Sequence, residues 1–103
     1  MKKLKFDAKY MSRILSGSKT TTLRLGRKEE YTPGDIVEVY VGDSFIGLAK
    51  IKSIRYIRWN ELTEEDIRKD GFTSKEDLKK DLLQYYGDFP NDAEFTLIEF
   101  ELI

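Results

Sequence analysis

Apolar and polar residues alternate along this chain with two periods, and the change from one to the other marks its elements. Leu4 and Phe6 alternate with lysines, which predicts a short first strand. Asp7 is a candidate N-cap. Tyr10, Met11, Ile14 and Leu15 then fall at helical spacing, and Gly17 is a stop signal, so a helix over about residues 8–16 is predicted. Thr20 to Arg24 is β-branched enough to form a strand. Thr32-Pro33-Gly34-Asp35 reads as a turn, and Ile36-Val37-Glu38-Val39-Tyr40-Val41 is the clearest strand in the chain. Gly42-Asp43-Ser44 turns a hairpin into Phe45–Ile51, and a further run, Ile54 to Trp59, continues the sheet with Ser53 as a bulge or bend.

The second half changes period. Thr63 with Asp66 resembles a capping box that opens one helix, and Gly71 breaks it. Ser74 caps another helix, whose Leu78, Leu82, Leu83 and Tyr86 form an apolar face. After a turn around Pro90, Phe95, Leu97, Phe100 and Leu102 predict a closing strand over Glu94–Ile103. Strand follows strand in the middle without helical crossovers. The fold class expected is therefore α+β, a mostly antiparallel sheet curled into a small β-barrel with flanking helices, as one domain over residues 1–103.

Composition narrows the chemistry. The chain has no cysteine and no histidine, which excludes a disulfide framework, a structural zinc and a His-based triad. No metal and no cofactor are expected. No apolar run approaches the roughly 20 residues of a membrane span, and no signal peptide is read at Met1–Phe6, so no membrane partner and a cytoplasmic location are expected. The net charge of −1 hides a split: residues 1–30 carry +6, residues 31–59 carry +1 and residues 60–103 carry −8. Either the basic part attracts an anionic partner, or the two parts pair with each other or stay solvated.

The densest chemistry lies in Gly17-Ser18-Lys19-Thr20-Thr21-Thr22-Leu23-Arg24. Strand alternation sends Thr20, Thr22 and Arg24 to one face and Thr21 and Leu23 to the other. Two hydroxyls and a guanidinium beside the Lys19 ammonium suit a phosphate, a carboxylate or a nucleobase edge. The alternative is a polar turn and an exposed edge strand.

With Ile14-Leu15-Ser16 in front, this segment matches a Gly-x-Lys-x-x-Thr-x-Arg signature, and the chain resembles the ASCH domain family of the PUA-like superfamily of small β-barrels. Tyr31-x-x-Gly34-Asp35, Leu62-Thr63, Asp70-Gly71-Phe72 and Ile98-Glu99-Phe100 extend the resemblance over the whole chain. The resemblance implies a cleft at the signature and an association with RNA. One small bacterial branch resembles amidohydrolases that deacetylate N4-acetylcytidine with a Lys, a Thr and a Glu. Carried over, these fall on Lys19, Thr22 and Asp70, the last one methylene shorter than the family's Glu; Glu65 and Glu76 are the fallback carboxylates.

The expected function is an RNA- or modified-nucleoside-binding domain, with the amidohydrolase as the alternative. In the binding reading Lys19, Arg24, Arg27 and Lys28 hold phosphates, Gly17, Ser18 and Thr20 of the signature also bind the ligand, and Tyr31, Tyr56 or Trp59 stacks a base. For Trp59 ordinary core packing is the favoured alternative, and Tyr85-Tyr86 reads as helix packing. In the hydrolase reading Thr22 attacks, Lys19 is the base, Asp70 protonates the departing amine or orients Lys19, and Arg24 or backbone N–H groups of Gly17–Lys19 hold the oxyanion.

Overall fold

The computed structural model describes residues 1–103. Five strands, β1 (Lys3–Phe6), β2 (Thr21–Leu25), β3 (Ile36–Val41), β4 (Ser44–Arg58) and β5 (Glu94–Leu102), form one sheet in the order β1-β3-β4-β5-β2. Three α-helices, α1 (Met11–Ser16), α2 (Glu64–Lys69) and α3 (Lys75–Tyr86), pack on it, with 3-10 turns at Ala8–Tyr10 and Trp59–Glu61. The predicted helix over residues 8–16 is therefore a 3-10 turn that runs into a shorter α-helix. Asp7 caps it, accepting a hydrogen bond from Lys9 N.

The predicted capping box, the Ser74 cap and the hairpin form. Thr63 and Asp66 cap α2 reciprocally, Ser74 caps α3, and Val41↔Ser44 pairing closes the β3–β4 hairpin. Two expected middle strands are one long strand, β4, whose register shifts between Ile51 and Ser53. Such a bulge bends a strand without ending it, which lets β4 curl around the core.

The sheet is curled and mixed, not a closed antiparallel barrel. The β1–β3 pair is parallel and the others antiparallel, while the edge strands β1 and β2 do not pair with each other. Side chains occupy the seam. The Arg24 guanidinium donates to the Lys5 carbonyl at 2.7 Å, and the Tyr31 hydroxyl donates to the Lys3 carbonyl at 2.8 Å. These carbonyls lie on the free edge of β1, because Lys2 and Phe6 carbonyls accept from Glu38 and Gly42 on the β3 side. An edge that could recruit another strand is thereby capped.

Alternation along β5 divides the interior into two cores. Ile98 and Phe100 join Leu4, Val39, Ile51 and Ile14 on one face, whereas Phe95 and Leu97 join Leu23, Trp59, Ile67 and Leu78 on the other. The first core lies under α1 and the second under α2 and α3. β2 adds Leu23 and Leu25 to the second.

Part of the charge split is paired internally. Lys9 pairs with Asp81, Lys19 with Asp70 and Arg27 with Glu94, each joining the basic first third to the acidic last part.

Candidate functional site

A cleft of about 150 Å³ opens between β1, β2 and α3, at the place where the cores meet. Lys19 and Asp70 form its floor. Gly17 ends α1 in the left-handed conformation at φ 82°, and the Lys19 N–H then donates to the Arg13 carbonyl at 3.0 Å. Thr20 N donates to the Lys69 carbonyl at 2.8 Å, tying this loop to the end of α2. Two residues beyond Lys69, Gly71 adopts φ +90°, and a β-carbon there would stand 3.2 Å from the Lys19 Cβ. A glycine is thus required both for the backbone turn and for the close approach.

The approach places Lys19 Nζ 3.2 Å from Asp70 Oδ1 and 3.1 Å from the Asp70 carbonyl oxygen. The Thr21 hydroxyl donates to the same Oδ1 at 3.0 Å. Lys19 is 4% exposed and Asp70 3%, so neither charge is solvated by water. Burial pulls the Lys19 ammonium below its usual range against the opposing charge of Asp70, and burial pushes the Asp70 carboxyl up against the opposing charge of Lys19. Burial thus works against each charge, and the partner's opposite charge works for it. The Tyr10 ring lies over Nζ at 4.9 Å, with Phe6 and Phe72 each at 6.0 Å.

Thr22 and Arg24 share a face of β2, as alternation predicts, and both line the cleft. Arg24 Nε donates to Thr22 Oγ1 at 2.9 Å. The Thr22 hydroxyl donates to no protein group, although Thr22 is only 5% exposed. Its proton is therefore free for a base or a ligand. Arg24 spends Nε on Thr22 and one bond of Nη2 on Lys5, and Nη1 has no protein acceptor. Asp7, Tyr10, Asp81 and Tyr85 form the outer wall. There the Tyr10 hydroxyl donates to Asp81, Lys9 pairs with Asp81, and the Tyr85 hydroxyl donates to Asp7 at 3.0 Å.

The cleft thus assembles Lys19, Thr22, Arg24 and Asp70, and the other candidates lie elsewhere. Gly17 and Thr20 line a separate groove beside Lys52 and Glu99, since Thr20 precedes β2 and is tied to α2. The Ser18 hydroxyl donates to the Arg13 carbonyl, closing the end of α1. Arg27 pairs with Glu94 and lies over the Tyr56 ring at 3.9 Å. Lys28 N donates to Thr96 Oγ1, and Tyr31 caps the edge of β1. Trp59 is 4% exposed and packs against Phe89 and Phe95 at 5.2 and 6.0 Å, so it is a core residue rather than a stacking platform. Glu65 and Glu76 pair with Arg68 and Lys80 on the surface.

The expected backbone oxyanion donors are also spent. Gly17 N bonds Ile14 O, Ser18 N bonds Ser16 Oγ and Lys19 N bonds Arg13 O. Sequence reasoning missed Thr21, assigned to the opposite face, because the loop before β2 turns Lys19 back toward α2. It also missed Tyr10, Asp81 and Tyr85, whose role depends on α3 lying across the 3-10 turn. Their only signal was polar atoms on otherwise apolar helical faces.

A curled five-stranded sheet with a buried lysine–carboxylate pair beside the Thr-x-Arg strand defines a small α+β domain with a polar cleft. The ASCH domain family model matches residues 2–103, and the chain belongs to that family. It is 32% identical over 101 residues to an N(4)-acetylcytidine amidohydrolase of Vibrio atlanticus, covering 95% of this chain and 92% of that protein. It is 29% identical over 98 residues to a protein of the same name from Klebsiella pneumoniae, covering 93% and 91%. Among solved structures, the hypothetical protein PH0355 superimposes with a TM-score of 0.74 at 27% identity over the full length of both chains. An ASCH domain from Lactobacillus crispatus superimposes with a TM-score of 0.67 at 20% identity, over 88% of this chain and 68% of that one, and shares the fold. No helix is long and apolar enough to cross a membrane.

Proposed function

We propose that this protein is an amidohydrolase that removes the acetyl group from N4-acetylcytidine or a closely related N-acylated nucleobase. The observation that carries this reading is the buried Lys19–Asp70 pair in one cleft with Thr22, whose hydroxyl proton is undonated. The amidohydrolase relatives, matched over nearly their whole length, support it.

The roles follow from the chemistry of the groups that line this one cleft. Thr22 Oγ attacks the acetyl carbonyl carbon and its proton passes to the Lys19 amine. The Arg24 guanidinium, already bonded to Thr22 Oγ1, donates to the oxygen that becomes negative. The C–N bond breaks, and the Lys19–Asp70 pair returns the proton to the departing N4 nitrogen, releasing cytidine. Water then attacks the acetyl ester on Thr22, releases acetate and restores the hydroxyl. The shorter Asp70 serves in place of a glutamate because Gly71 brings the end of α2 against Lys19.

The same geometry favours a small ligand over an extended polyanion. Arg27, which would hold a phosphate, pairs with Glu94, and Tyr31, which would stack a base, caps the edge of β1 instead. The test is release of cytidine from N4-acetylcytidine by the intact protein, Lys19→Ala and Thr22→Ala. Turnover by the intact protein, reduced by about 10²-fold or more in each variant, is expected. A folded intact protein that releases no cytidine overturns the reading.

A further inference from the structure

We propose that Asp81 is a positioning residue for this site: by accepting the Tyr10 hydroxyl it holds the Tyr10 ring against Lys19 Nζ and stabilises the ammonium form. The catalytic meaning of this relay rests on the hydrolase reading, but its geometry does not. Asp81 comes from α3, far in sequence from the signature segment, and its side chain is 11% exposed. It lines the cleft and accepts from the Tyr10 hydroxyl. The Tyr10 ring in turn presents its face to Nζ at 4.9 Å.

A ring face carries negative electrostatic potential, and its attraction for a cation grows when water is excluded. A phenol that donates to a carboxylate becomes more electron-rich, which strengthens that attraction. Burial first, and then the hydrogen bond to Asp81, raise the Tyr10 hydroxyl above its usual range, so Tyr10 stays the donor in this bond.

The other groups around Lys19 set the balance. Asp70 at the end of α2 favours the ammonium and Arg24 on β2 opposes it. From α1, the Arg13 guanidinium lies over the Tyr10 and Phe72 rings at 5.7 and 5.1 Å. Lys9 neutralises part of Asp81 from the 3-10 turn. Asp81 itself acts on Lys19 in the stabilising sense. Burial alone would leave Lys19 a weak base. The Asp81–Tyr10 relay restores some of its proton affinity, as needed to accept the Thr22 proton and deliver it to a leaving amine.

The experiment is an NMR titration of the lysine ε-methylene resonances, with the Lys19 signal identified by its loss in Lys19→Arg. In Asp81→Asn the Lys19 midpoint is expected to fall by about half a pH unit or more. Tyr10→Phe, which keeps the ring and removes the hydroxyl, should move it in the same direction, and Asp81→Glu should restore it. The acid limb of the pH–rate profile should shift by the same amount, which a purely structural role would not produce. An unchanged midpoint in folded Asp81→Asn overturns the proposal. So does an unchanged midpoint in Tyr10→Phe, because Asp81 would then act without the ring. A protein that releases no cytidine but shows both shifts would sink the hydrolase reading and support the relay.

Discussion

Lys19 and Asp70 are a pair whose worth for stability and for chemistry have opposite signs. Removing two charges from water costs several kcal/mol each in effective terms, and their mutual attraction repays this only with good geometry. Asp70→Ala alone strands Lys19 in the interior and is expected to destabilise by about 3–5 kcal/mol. Lys19→Met/Asp70→Asn removes both charges and keeps an acceptor for Thr21; it should be at least as stable as the intact protein, yet inactive. The pH dependence follows from the two shifts. Asp70 is raised from 3.8, so the native state takes up its proton first as pH falls, and stability contributed there increases toward acid. Lys19 is lowered from 10.5, so the native state releases its proton first as pH rises, and stability increases toward base. The penalty of the pair is therefore greatest between these windows. Urea midpoints for the double variant should exceed those of the intact protein near neutrality, and the gap should shrink at both extremes.

At the scale of elements, the site depends on how closely the end of α2 approaches the loop before β2. Gly71 sets that approach. Gly71→Ala forces a side chain into a φ of +90° and against Lys19 Cβ at 3.2 Å. The backbone strain alone costs about 1–3 kcal/mol. Chemical denaturation should show that loss, and turnover should fall further than the stability loss explains, because Lys19 must shift. The 3-10 turn at Ala8–Tyr10 depends on Asp7 in a similar way. Its carboxyl is held below the usual range by the Lys9 backbone N–H and then by the Tyr85 hydroxyl. The stabilisation is full above pH 3.8 and is lost as pH falls through the depressed folded value. Asp7→Ala should lower Tm at neutral pH, and the difference from the intact protein should vanish in strong acid.

For the molecule as a whole, the open seam between β1 and β2 is the feature that makes a cleft possible. A fully closed sheet would leave no room between these strands. Arg24 and Tyr31 hold the seam by capping carbonyls on the edge of β1, and only Arg24 also lines the cleft. The two residues are therefore separable by mutation. Tyr31→Phe should cost about 0.5–1.5 kcal/mol, the net value of one hydrogen bond, with turnover at saturating N4-acetylcytidine preserved. Arg24→Lys should lose turnover as well, since an ammonium cannot bond Thr22 and Lys5 in the same fork.

Sequence pattern alone determined the order of elements, their caps and most of the core. Val37, Val39 and Val41 alternate as a strand must, and Thr63, Asp66 and Ser74 stop competing backbone conformations locally. These features were legible because they depend on residues two to four positions apart. The Gly-x-Lys-x-x-Thr-x-Arg segment marked Lys19, Thr22 and Arg24 for the same reason. Tertiary structure decided what lies across from them. Asp70 meets Lys19 from 51 positions away, and Asp81 meets Tyr10 from 71, through contacts that no local period encodes. It also decided that Trp59 is core, that Tyr31 is a seam residue, and that the sheet stays open. Each of these is settled by which apolar faces reach one another, a packing outcome that many local patterns share.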